Sequence, residues 1–187
     1  MKDVTRIQGL EALVKAQAGG KPPPVESWDP PYCGDIGMSI KADGTWFYQG
    51  SPIGRAPLVK LFASILRRDA DGRYYLVTPA EKVDVAVADA PFLAVEMQVD
   101  GVGSAQQLTF RTNVDDVVVC GPGRPLRFEI EPGSGGLKPY LNVRGRLEAL
   151  VARAVYYDLV ELAAPRDGLP PDRLGVWSGG VWCELAD

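Results

Sequence analysis

Four short apolar stretches, Phe92–Val99, Leu108–Thr112, Val117–Cys120 and Leu126–Ile130, follow one another with only short Gly- or Asp-rich linkers between them. Each is short for a packed helix and rich in β-branched or aromatic residues, so the run predicts an antiparallel meander. That feature commits the second half of the chain to β-structure. An exposed loop, Glu131-Pro132-Gly133-Ser134-Gly135-Gly136, ends it.

The first half mixes signals. Ile36, Met38 and Ile40 alternate as a strand, Asp43-Gly44 is a hairpin-type turn, and Trp46-Phe47-Tyr48 is a second, aromatic strand. Gly50-Ser51-Pro52 breaks the ladder. From Ala56 to Arg68 a helical stripe follows, Leu58, Leu61, Phe62 and Ile65, with Pro57 in its first turn and Arg67-Arg68 at the negative end of its dipole. Asp69–Gly72 is a turn, and Tyr74–Val77 and Val83–Val87 are strands. Ahead of all this, Val4–Ala18 reads as a helix, stopped by Gly19-Gly20 and set apart by Pro22-Pro23-Pro24.

Beyond the meander, Asn142 stands where it would cap a helix running to Arg153, although Gly145 weakens the start. Val155–Leu162 reads as a strand. Val176-Trp177 and Val181–Leu185 form a final hairpin around Gly179-Gly180. The expected class is α+β in two tandem small halves. Residues 1–27 would be a helix and connector, 28–89 an N-terminal α+β domain, and 90–187 a β-rich C-terminal domain, with Asp89-Ala90-Pro91 as the boundary.

The two expected helices echo each other. Arg55 precedes Leu58 by three residues as Arg144 precedes Leu147, and both helices lead toward a tyrosine pair, Tyr74-Tyr75 and Tyr156-Tyr157. This suggests a duplicated arginine–helix–strand unit. A cation at a helix start is disfavoured by the dipole by about 0.3–1 kcal/mol, so two of them call for something negative nearby. A phosphate or carboxylate ligand would serve, held by free backbone N–H groups and a guanidinium fork. So would an intramolecular ion pair, for instance to Glu81 or Asp116.

Composition excludes several chemistries. The chain of 187 residues contains no histidine, which removes histidine-based nucleophile activation and every His-containing metal site. A net charge of −4 argues against a nucleic-acid polymer as partner. Cys33, Cys120 and Cys183 form no CxxC pair, so no zinc or redox motif is expected from spacing. No apolar stretch reaches the roughly 20 residues of a membrane span, and the N-terminal segment lacks the apolar core of a secretory signal; a cytoplasmic location is expected.

Other features carry two readings each. Gly50-Ser51-Pro52-Ile53-Gly54 lacks the closing Lys-Ser/Thr of a phosphate loop and reads as a strand-to-helix turn. Trp46 and Trp177 suit core packing or stacking on a flat ligand. Thr112-Asn113 with Asp115-Asp116 could bind a metal through oxygens or simply form a turn.

Several strings resemble the bacterial DUF1285 family: Asp29-Pro30-Pro31-Tyr32-Cys33-Gly34, Asp43-Gly44-Thr45-Trp46, Gly50-Ser51-Pro52-Ile53-Gly54-Arg55 and Thr78-Pro79-Ala80-Glu81-Lys82. So do Asp89-Ala90-Pro91-Phe92, Thr112-Asn113-Val114-Asp115-Asp116, Asn142-Val143-Arg144 and Gly175-Val176-Trp177-Ser178. They run in order from about Trp28 to the C-terminus; Ala80 stands where the family has Val or Ile. The resemblance implies a duplicated α+β structure with a pleckstrin-homology-like C-terminal half. It further implies a nucleotide-like ligand between the halves and a role in signal transduction.

The resulting expectation is a binding module for an anionic, nucleotide-like ligand, without a cofactor. Arg55, Arg144 and Lys82 would meet the charge, Asn113 would add directional hydrogen bonds, and Trp177 a stacking face. The alternatives are an adaptor whose exposed sheet edge pairs with a peptide strand, and a carboxylate- or metal-dependent hydrolase using Glu81, Asp115 or Asp116.

Overall fold

The computed structural model describes residues 21–185, with Gly9 and Ala12 ahead of them. The helix expected over Val4–Ala18 otherwise lies outside the described residues. The chain divides into two units after Asp89, and each is built around a six-stranded sheet.

In the first unit a 3-10 turn, Val25–Ser27, precedes β1 (Tyr32–Ile40), β2 (Trp46–Tyr48) and β3 (Ser51–Pro52). Next come α1 (Ala56–Ser64), β4 (Leu66–Arg68), β5 (Tyr74–Val77) and β6 (Lys82–Val87). The sheet order is β3-β2-β1-β6-β5-β4, with β1 and β6 parallel and the other neighbours antiparallel. The β1–β2 turn forms because the Asp43 carboxylate accepts the Thr45 N–H (2.9 Å) and Gly44 supplies a positive φ. Pro57 sits in the first turn of α1, whose buried Leu58 and Phe62 lie one turn apart. Phe62 stacks on Trp46 at 6.3 Å, and Met38, Ile40, Leu66, Leu76 and Val83 complete the core.

The helix is shorter than its sequence suggests. It ends at Ser64, and Leu66-Arg67-Arg68 instead form β4, paired with Tyr74–Leu76 across the Asp69–Gly72 turn. The strand-ready Tyr74–Val77 segment, just beyond the turn, offered Leu66 a ladder and a buried position, which outweighed one more helical turn.

The second unit contains β7 (Phe92–Asp100), β8 (Gln107–Thr112), β9 (Val117–Val119), β10 (Leu126–Ile130), β11 (Leu137–Arg144) and β12 (Leu147–Val151). The order β10-β11-β12-β7-β8-β9 again places its first and last strands side by side and parallel. After β12 come α2 (Arg153–Glu161), β13 (Ala164–Pro165), β14 (Leu174–Ser178) and β15 (Val181–Glu184), the last three forming a small antiparallel sheet. The four strands expected from Phe92 to Ile130 all form, but only β7, β8 and β9 make a meander; β10 crosses to the opposite edge and pairs with β11.

The region from Asn142 to Leu162 inverts expectation. Where a helix was expected, β11 and β12 form a hairpin; where a strand was expected, α2 forms. Burial explains both. Leu147, Ala149 and Val151 are buried with exact alternation, a strand's period, and Gly145 takes the positive φ (51°) of the hairpin turn. Asn142 does not cap a helix; its Nδ2 donates to the Gly145 carbonyl (3.0 Å) across that turn. In α2, by contrast, Val155 and Leu159 are buried one turn apart while Arg153, Tyr157 and Asp158 face outward. Tyr156-Tyr157 are therefore helical, and the arginine–helix–strand echo has no second copy in the form expected. The protein is mainly β, with two α-helices among the described residues, none long and apolar enough to cross a membrane.

Candidate functional site

Cross-strand register gathers polar residues on one face of the N-terminal sheet. Arg67 of β4 lies opposite Tyr75 of β5, and Tyr75 opposite Asp84 of β6. Lys82, two residues before Asp84, is the register partner of Tyr32 on β1. Paired residues share a face, as do positions two apart. Tyr32, Arg67, Tyr75, Lys82 and Asp84 thus stand on the side opposite to the buried Leu66, Leu76, Val83 and Val85.

The Asp69–Gly72 turn returns Arg73 over this face. Its guanidinium lies 5.7 Å from the Tyr32 ring centre and 5.6 Å from that of Tyr75, and Nη2 donates to Asp84 Oδ2 at 2.6 Å. The Tyr32 hydroxyl donates to the same carboxylate oxygen. Beneath, Arg67 grips Asp69 through Nε (2.6 Å) and Nη2 (3.2 Å), while its Nη1 donates to the carbonyls of Val25 and Trp28, both at 2.7 Å. Lys82 Nζ adds a second cation to Asp69 at 2.9 Å and lies 4.5 Å from the Tyr75 ring centre.

These contacts set the titration behaviour. Burial pushes Asp69 up, but its bonds from Arg67 and Lys82 outweigh that and hold the carboxyl below the usual range. Asp71 is lowered chiefly by the Tyr75 hydroxyl, and the same bond, with burial, raises Tyr75 to about 12. Tyr32 is raised through its bond to Asp84. Each of the cluster's cations is answered by a carboxylate at close range; Arg73 differs in exposure, its side chain being 56% exposed and its ion pair to Asp84 running through Nη2.

The expected site residues are distributed differently. Arg55 is exposed at the N-cap of α1, its carbonyl accepting the N–H groups of Leu58 (3.0 Å) and Val59 (3.1 Å). Lys82 belongs to the cluster just described. Arg144 is not at a helix start; it ends β11, pairs with Asp116 at 2.8 Å and lies 5.3 Å from the Phe92 ring centre. Asn113 exchanges both its hydrogen bonds with the backbone of Leu93, next to Phe92. Asn113 and Arg144 therefore both lie at the Phe92-Leu93 end of β7. Trp177 is half-buried on β14 across from Trp182, with Arg166 5.5 Å from its ring centre.

The Thr112–Asp116 segment is a turn: Asp115 takes a positive φ, and the Thr112 hydroxyl accepts the Asp116 N–H at 3.1 Å. Among the described residues no group of three or more Cys, Asp or Glu is placed to hold a metal. Tyr32, Arg73 and Asp84 were not among the sequence candidates. Nothing local marks them, because only the parallel pairing of β1 with β6 brings them together.

Family profiles cover the chain in two parts. Residues 23–90 match the N-terminal domain of unknown function DUF1285, and residues 91–185 match the C-terminal domain of the DUF1285 protein of unknown function. The chain belongs to the DUF1285 family.

A DUF1285 protein from Silicibacter pomeroyi DSS-3, known by crystal structure, is 48% identical over 94% of this chain and 93% of its own, with a TM-score of 0.85. A DUF1285 protein from Shewanella baltica OS155 is 30% identical over 67% of this chain and 91% of its own, with a TM-score of 0.53. Among curated proteins no relative matches. DUF1285 membership thus establishes kinship and fold.

Proposed function

We propose that this protein is a ligand-binding module for an anionic molecule with a flat ring, of nucleotide type, acting in signalling rather than catalysis. The observation that carries this reading is the half-exposed Arg73 guanidinium, held beside the Tyr32 and Tyr75 rings and anchored by one nitrogen to Asp84. Anchoring lowers the entropy lost on binding and leaves the rest of the fork for a phosphate or carboxylate. Tyr32, 51% exposed beside it, offers a ring for stacking. Arg144 and Lys82 suit an incoming anion less well, because their side chains are only 31% and 19% exposed against 56% for Arg73.

The shared strand order of the two sheets supports reading the halves as a duplication at the level of topology. A β-meander followed by a helix supports a pleckstrin-homology-like reading of the second. The free thiols fit a reducing, cytoplasmic setting.

Melting the protein against a panel of nucleotides and other organic anions tests the proposal. A ligand at a hundred times its dissociation constant adds about 2.7 kcal/mol of stability. Arg73→Ala should abolish that shift and Tyr32→Ala should weaken it. If no anion raises the melting temperature, or the shift survives Arg73→Ala, the reading fails.

A second reading, peptide pairing at a sheet edge, is favoured by β9. This edge strand bears no charge or proline, and its Val117 and Val119 are 64% and 50% exposed. Selection from a displayed peptide library would return aliphatic, strand-forming binders whose affinity is lost with Val119→Lys.

A further inference from the structure

The open edge of β9 and the turn that follows it carry an inference that rests on the edge-pairing reading and deepens it. The Cys120 N–H donates to the Leu108 carbonyl and the Thr112 N–H to the Asp116 carbonyl, both at 2.9 Å, and Val118 is the register partner of Phe110. In an antiparallel ladder alternate residues turn their backbone groups toward the neighbouring strand. Asp116, Val118 and Cys120 thus face β8, while Val117 and Val119 present their N–H and C=O groups to the open side of the sheet. Among the described residues no partner meets those four groups.

This edge runs directly into a cavity. Beyond Cys120 the chain folds back between Gly121 and Arg124, which exchange both backbone hydrogen bonds (3.1 and 3.0 Å). A cavity of about 390 Å³ opens at that turn, bordered by Val119, Gln107, Gly121, Pro122, Gly123 and Arg124. Val119 is therefore both the last residue of the edge and part of the cavity wall. Arg67, Arg73, Arg111, Arg127, Arg144 and Arg173 each hold a carboxylate. Arg124 is exposed, and among the described residues no carboxylate pairs with it. An edge offering backbone hydrogen bonds thus ends at an unanswered guanidinium. The C-terminus of an extended peptide complements both, its backbone meeting the edge and its α-carboxylate the cation.

We propose that β9 and the Gly121–Arg124 turn bind the free C-terminus of a partner chain, whose last three residues add to β9 as a parallel strand and whose carboxylate is held by Arg124. The direction follows from the position of the cavity at the C-terminal end of β9. The residue third from the peptide's end stands opposite Val118, donating its N–H to the Val117 carbonyl and accepting the Val119 N–H at its own carbonyl. Two residues further, about 7 Å on at the rise of a strand, the carboxylate reaches the turn. The penultimate side chain falls beside the half-exposed Val119, which favours an aliphatic or β-branched residue there.

The test uses the full chain and octapeptides ending in three aliphatic or β-branched residues, labelled with fluorescein at the N-terminus. Each is made with a free C-terminus and as the C-terminal amide, and binding is read by fluorescence polarisation. The free acids should bind, and amidation should weaken them by about tenfold or more. Arg124→Gln should weaken the free acids by a similar factor and remove the preference for them over the amides. N-methylation of the third residue from the end should also weaken binding, because it removes the donor to Val117. Equal binding of acid and amide, or an acid preference that survives Arg124→Gln, would overturn the carboxylate site while leaving edge pairing in place. Binding that tolerates the N-methyl group would overturn the parallel register. If no peptide of either kind binds, this proposal and the edge-pairing reading fail together.

Discussion

Trp182 packs against Gly175 so closely that a Cβ added to the glycine would stand 2.2 Å from Cε2 of the indole. The contact crosses β14 and β15 and explains why a glycine occupies the interior of a strand. Gly175→Ala should therefore cost about 1–3 kcal/mol through overpacking, read from urea unfolding. Trp182→Leu in the same background should return part of that loss. Unchanged stability in Gly175→Ala would mean that the indole shifts aside freely.

Arg67 is an arginine on a strand that is only 7% exposed, and it ties two carbonyls of the Val25–Trp28 segment to Asp69. Removing it takes the side-chain donor from both carbonyls, leaving the Val25 carbonyl with only the Trp28 N–H at 3.3 Å, and leaves Asp69 with Lys82 as its cation. Arg67→Met should destabilise by about 3–5 kcal/mol, the range for breaking a buried pair. Arg67→Lys should rescue little, since one ammonium cannot reproduce the fork. Chemical denaturation of both variants checks this.

The Arg144–Asp116 pair is partly solvent-exposed, at 31% and 39%. A double-mutant cycle with Arg144→Ala and Asp116→Ala should give a coupling of only about 0.2–1 kcal/mol. A much larger coupling would mark the pair as an essential clamp of the C-terminal half.

Tyr75 and Asp71 make opposite pH signatures. The folded pKa of Tyr75 lies near 12, above its ordinary 10.0, so its contribution to stability is full below pH 10.0 and is lost as pH rises toward 12. Asp71 is depressed, so its share is present above the ordinary 3.8 and disappears as pH falls through the lower folded value. Tyrosinate absorbance should show a late-ionising phenol that vanishes in Tyr75→Phe and titrates earlier in Asp71→Asn. An unaltered late step in Tyr75→Phe would assign it to another residue.

Much of the β-structure was legible because alternation and turn chemistry are local. Ile36, Met38 and Ile40 face one way whatever they pack against, and Asp43-Gly44 closes its turn through the Asp43 carboxylate. The misread region was ambiguous for a physical reason. Leu147 and Leu150 satisfy a helical spacing, while Leu147, Ala149 and Val151 satisfy a strand's, and only the partners β11 and β7 settle which is buried. The site followed the same logic. Arg55 and Arg144 drew attention through an apparent helix polarity, yet only Arg55 adjoins a helix.

By itself the sequence determined a two-part, β-rich chain with a break after Asp89, no histidine chemistry and a set of turns at glycine and aspartate. These follow from composition and from interactions within a few residues. Only the tertiary structure decided that Tyr32, Arg73 and Asp84 would share one face and that Arg67 would be buried. Each of those depends on strand order and register, which arise from burial summed over residues distant in the chain, and no local pattern encodes them.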